Sequence, residues 1–140
     1  MTNKILVAVD LEDEALMGRI LQAARELADL HDAQITLVHV APNMPADVRA
    51  HLPDDYEAKI TTEVAGKLDE LVEKLDMPSG KLHAAFRIGT IYRKIVDEAN
   101  DTNSDLIVIG CHRPDVADYL LGSNAARVVR HASCSVYVVR

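Results

Sequence analysis

The stretch Leu106-Ile-Val-Ile-Gly110-Cys-His-Arg-Pro-Asp-Val-Ala-Asp-Tyr-Leu-Leu-Gly122-Ser123 decides the reading of the fold. Four apolar residues end in a glycine, a polar loop with Arg113 and Pro114 follows, and Gly122-Ser123 opens a helical pattern. This is a strand, a glycine turn, a loop and a helix N-terminus. Such a helix start presents free backbone N–H groups and the positive end of a dipole to an anion. The phosphate chain of a nucleotide is the anion it suits best.

The same alternation extends in both directions. Ile5 to Val9, Ile35 to Val40, Leu82 to Ile88 and Val136 to Val139 read as four further strands. Leu16, Ile20, Ala24, Leu27 and Ala28 recur at helical spacing, as do Ile60, Val64, Leu68, Leu71, Val72 and Leu75. Ile91, Ile95, Val96 and Ala99 mark a third helix and Ser123 to His131 a fourth. The segment from Ala41 to Asp55 holds three prolines and reads as a long loop, and Met77-Pro-Ser-Gly80 is the expected stop of the second helix. Continuous apolar strands imply a parallel sheet covered on both faces. Right-handed crossovers then give an α/β fold: an open five-stranded parallel sheet, doubly wound, with helices on both faces, Rossmann-like in class. Residues 1–140 are expected to form one domain. In such folds ligands sit beyond the carboxyl ends of the strands near a reversal of strand order. That selects the tips carrying Asp10, Val40 and Gly110.

Composition narrows the function. The formal net charge is −7 with 22 Asp and Glu against 15 Lys and Arg, which argues against nucleic-acid binding. With no Trp and one Phe, a base-stacking platform is not expected either. No apolar run approaches a membrane span or a signal-peptide core, so a cytoplasmic protein is expected. Cys111 and Cys134 match no short metal or redox pair and read as free thiols in small apolar positions. The tip after the first strand, Asp10-Leu-Glu-Asp-Glu14, is acidic and lacks glycine. A dinucleotide fingerprint or a flavodoxin-type phosphate loop is therefore absent there. Glu12-Asp-Glu14 reads as favourable charge at a helix N-terminus, with a Mg²⁺ shared with nucleotide as the alternative. His39, His112 and His131 match no standard zinc spacing.

Taken as a set, several segments resemble the universal stress protein family over essentially the whole chain. They are Lys4-Ile-Leu-Val-Ala-Val-Asp10, Leu37-Val-His-Val40, Gly89-Thr90, Asp105-Leu-Ile-Val-Ile-Gly110, Gly122-Ser-Asn-Ala-Ala-Arg-Val-Val-Arg-His131 and Cys134-Ser-Val-Tyr-Val-Val139. Cys-His-Arg-Pro-Asp followed by Tyr-Leu-Leu-Gly-Ser is particularly similar to the small enterobacterial ATP-binding members. The resemblance implies the adenine-nucleotide α-hydrolase-like fold and ATP as a regulatory ligand. Asp10 would then touch the nucleoside, Val40 would line the adenine site and Ile109 would pack beside it. Gly110, Gly122, Ser123 and Asn124 would hold the phosphates, and His112 would lie near them.

ATP-binding members carry G-x-x-G, nine residues, then G-[ST]. Here Arg113 stands where the second glycine would fall, and eight residues, Pro114 to Leu121, precede Gly122. Arg113 either removes a backbone contact or adds a charge-assisted contact to phosphate. The resemblance also implies a homodimer paired through Val136 to Val139; an edge hidden by residues 41 to 55 is the alternative. Two other functional readings stay open. One is a slow ATPase or nucleotidyl transferase, with Arg113 and His112 as its local candidates. The other is a protein that acts through contacts alone, for which the Arg113 departure and the shortened loop argue.

Overall fold

A computed structural model of the 140-residue chain describes residues 2–111 and 122–140. Ile5 to Val7 are buried because each finds apolar partners on one or the other side of the sheet. Ile5 and Val7 enter one core, and Leu6 and Ala8 enter the other. Successive strand side chains point to opposite faces, so a strand covered on both sides must be apolar throughout. Leu106 to Ile109 divide in the same way, with Leu106 and Val108 in the first core and Ile107 and Ile109 in the second.

The elements in chain order are β1 (Lys4–Ala8), α1 (Glu14–His31), β2 (Gln34–Ala41), α2 (Ala46–Arg49), α3 (Tyr56–Leu75), β3 (Leu82–Ile88), α4 (Ile91–Asp101), β4 (Leu106–Gly110), α5 (Ser123–His131) and β5 (Ser135–Val139). They build one five-stranded sheet in the order β3-β2-β1-β4-β5, with every pairing parallel. α1 and α3 supply the first core, and α4 and α5 supply the second. The expected doubly wound sheet is therefore present. From β1 the chain winds outward to β3, then α4 carries it back so that β4 lies against β1. Strand order reverses between β1 and β4, which opens a crevice beyond their carboxyl ends.

Local chemistry fixes the ends. Asp13 caps α1, its Oδ1 accepting the Leu16 N–H at 3.0 Å, and Glu14 follows in the first turn. This agrees with the helix-charge reading of that acidic run. α3 stops at Leu75 because Asp76 turns left-handed at φ 45°, its N–H reaching the Val72 carbonyl. The stop thus falls before Pro78 and Gly80, where the sequence had placed it. The loop expected over residues 41 to 55 contains the single turn α2 after Pro45. Four residues are too few to express a helical period.

The opposite end of the sheet is tied down by Asp105. Its carboxylate accepts the N–H groups of Asn3 at 2.7 Å and Lys4 at 2.9 Å, and these bonds hold its pKa below the usual carboxylate value. At the β3 edge, Arg87 Nε donates to Glu98 and a terminal nitrogen donates to Asp101, both at 2.5 Å. This compensates Glu98, the buried carboxylate of α4.

Candidate functional site

The crevice is a cleft of about 1040 Å³ at the β1–β4 reversal. Asp10, Val40, Ile109, Gly110, Gly122, Ser123 and Asn124 all line it. The structure thus brings together seven sequence-selected residues drawn from four separate segments. His112 and Arg113, the other two, lie outside the described residues.

Each is placed by its element. Asp10 follows β1, and its Oδ1 accepts the Glu12 N–H at 3.0 Å, so the carboxylate holds the turn while flanking the cleft. Val40 and Ile109 are buried on the α4/α5 side and show the cleft an apolar wall. Gly110 ends β4, and a Cβ there would stand 2.8 Å from Leu16 Cδ2 and 2.7 Å from Ile20 Cδ1. Its close approach is therefore to helix α1, a packing reason that the expectation of a ligand contact did not include.

Gly122 is the N-cap of α5, with φ −58° and ψ 155° and no side-chain cap bond. Any residue adopts that backbone conformation. Ser123, suited by type to be the N-cap, is instead the first helical residue and is exposed. With glycine at the cap, no side chain from that position takes up the first N–H groups of the helix, and Gly122 to Ala125 border the cleft. The helix is held from behind by Ala125 and Val128, buried in the second core.

The other wall was not legible as part of a site. His39 sits one residue before Val40 and so faces the α1/α3 side, stacked on Phe86 at 6.0 Å with Nδ1 3.5 Å from the Val9 carbonyl. Burial pushes its pKa below the ordinary value, against the opposing pull of the Val9 carbonyl and the Asp10 and Glu12 carboxylates. Arg49 of α2 and Tyr56, Ile60 and Lys67 of α3 complete this wall. The signal for it was the α3 stripe, since its members Ile60 and Val64 also line the cleft. From the segment after β2, Pro42, Met44, Arg49, Leu52 and Pro53 likewise border the cleft, and in the sheet β1 and β4 lie between β2 and β5.

His131 stacks on Tyr92 at 5.3 Å, on the α4/α5 side of the sheet. It is thus separated from His39 by the sheet, which is incompatible with a shared zinc site. Among the described residues no group of three or more His, Cys, Asp or Glu is placed to hold a metal ion. Cys111 and Cys134 are both unbridged and half-buried, and burial pushes the Cys134 thiol up. Among the described residues no helix is long and apolar enough to cross a membrane.

An open doubly wound α/β fold with a cleft at the reversal of strand order defines the class. The sequence profile of the universal stress protein family matches residues 1–140. Universal stress protein G of Shigella flexneri is 30% identical over 148 aligned positions, covering 100% of both chains. The solved structure of universal stress protein UspA from Lactobacillus plantarum superposes with a TM-score of 0.76 at 26% identity, covering 99% of this chain and 98% of that one. A universal stress protein from Archaeoglobus fulgidus, solved in complex with dAMP, gives 0.68 at 22% identity, covering 99% and 98%. The chain belongs to the universal stress protein family.

Proposed function

We propose that the cleft binds an adenine nucleotide, ATP in particular, and that the bound nucleotide acts as a regulatory ligand. The observation that carries this reading is the start of α5. A glycine-capped helix N-terminus borders a cleft at the reversal of strand order. The dAMP complex of the Archaeoglobus fulgidus relative supports the adenine assignment. In this reading Val40 and Ile109 pack on the nucleoside and the Asp10 carboxylate accepts from its hydroxyls. The N–H groups of Ser123 and Asn124, the Ser123 hydroxyl and the backbone at Gly110 and Gly122 hold the phosphates. Arg113 and His112 are assigned to the phosphate end by their place in the chain.

A nucleotide shifts a conformational or assembly equilibrium only through different affinity for the two states. The state we assign is a cytoplasmic homodimer paired through Val136 to Val139. β5 is an edge strand, Tyr137 on it is 46% exposed and Val129 on neighbouring α5 is also 46% exposed, so the edge carries apolar surface.

Amide NMR tests the site directly. Addition of ATP should shift the resonances of Ser123, Asn124 and Ala125 together with those near Asp10 and Val40. Shifts confined to other parts of the sheet would overturn the assignment.

A further inference from the structure

We propose that the outer edge of β3 is a docking site for an extended, basic segment of another protein, added to the sheet as a further strand. The backbone specifies the extended form. The Lys81 carbonyl accepts the Ile35 N–H, and the Gly89 N–H donates to the Ala41 carbonyl. Odd-numbered residues of this stretch therefore face β2. In a parallel ladder both backbone groups of a residue point the same way, so Leu82, Ala84, Phe86 and Ile88 turn theirs outward. Among the described residues none bonds to these outward groups. Donors and acceptors repeated at every second residue match another strand. Ile88 also lines the cleft, so a strand added here runs to the cleft rim.

Little guards this edge against a further strand. Edge strands are commonly blunted by shortness, bulges, proline or lysine. β3 has seven residues against five in β5, and its register with β2 runs unbroken from Leu82 to Ile88. It contains no Pro and no Lys. Its permanent cation, Arg87, is held back on α4 by Glu98 and Asp101. Ala84 is exposed, and its methyl group is too short to screen the backbone beside it. Charge then selects the occupant. Lys81, just before the strand, is paired with Asp32 at 3.3 Å. Arg87 and the two cations of α4 balance the three acids of that helix, whereas α3 on the other flank has five Asp and Glu against three Lys. This surplus favours a segment bearing Lys or Arg. It opposes a second copy of this chain, whose net charge is −7.

Amide hydrogen exchange read by NMR tests the placement, with a capped peptide of alternating valine and lysine as long as β3. In the free protein the Ala84 and Phe86 amides should exchange faster than those of Ala85 and Arg87, which face β2. The peptide should slow exchange at Ala84 and Phe86 by about tenfold or more, and its valine–glutamate counterpart should not. Proline fits an edge position whose N–H faces solvent, so Ala84→Pro should keep the native circular dichroism and lose the protection at Phe86. Ala84→Lys leaves the backbone intact and should weaken peptide binding by about threefold or more. It decides the question if the proline variant does not fold. No slowing at Ala84 and Phe86 in the wild type, equal slowing at Phe86 in folded Ala84→Pro, or undiminished binding by Ala84→Lys would overturn the proposal. So would a loss of self-association in Ala84→Pro or Ala84→Lys by sedimentation, because a second copy would then be the occupant.

Discussion

Gly110 at the end of β4 lies so close to Leu16 of α1 that a single added methyl group would stand 2.8 Å from Leu16 Cδ2. The strand tip at the cleft and the first turns of α1 are thus one packed unit. Gly110→Ala is expected to cost about 1–3 kcal/mol through overpacking. Adding Leu16→Ala should recover part of the loss at Gly110, because the shortened side chain makes room for the methyl group. Urea denaturation of the two single variants and the double variant measures this coupling; strictly additive losses would contradict it.

Gly122 behaves differently, since its backbone conformation is open to any residue. Gly122→Val should therefore fold with unchanged far-UV circular dichroism, while the isopropyl group shields the N–H groups that begin α5. ATP affinity is expected to fall by about tenfold or more, read by equilibrium dialysis. Undiminished binding in the folded variant would remove α5 from the phosphate site.

The centre of this sheet was legible in the sequence, and its margins less so. β1 and β4 are buried on both faces, so their apolar runs are unbroken. β5 is an edge strand, and exposed Ser135 and Tyr137 alternate with half-buried Val136 and Val138. Seven of the nine candidate site residues meet in one cleft because strand-end position and the reversal of order are consequences of topology. His39 escaped because its neighbour Val40 was the residue read as facing the site, and strand parity sends the two side chains to opposite sides. Glu57, Glu63 and Lys67 escaped because they read as the solvated flank of an amphipathic helix. That helix becomes a cleft wall only when the chain is folded.

Val138→Lys tests the assigned dimer. The added charge on the β5 edge should oppose pairing while its stem lies along the half-buried face. Sedimentation velocity should show a shift toward monomer at concentrations where the wild type is dimeric. A dimer of unchanged strength would place the interface elsewhere.

His39 gives the fold a pH dependence of definite sign. Its folded pKa lies below the ordinary histidine value of about 6.5, so the unfolded chain takes up the proton first as pH falls. Stability from this group is complete above the unfolded value and declines as pH drops below about 6.5, levelling off beneath the folded value. His39→Gln should remove that part of the decline. Urea midpoints of both proteins at about pH 7.5 and 5.5 measure it, and parallel losses would assign the effect to other groups.

Whether this cleft holds an adenine nucleotide is read from what the freshly purified protein carries. The protein is denatured and the released small molecules are resolved by ion-pair chromatography and mass spectrometry. Adenine nucleotide is expected in near-stoichiometric amount, or stoichiometric uptake of added ATP by protein that arrives empty. A chain that releases none and takes up none would contradict it.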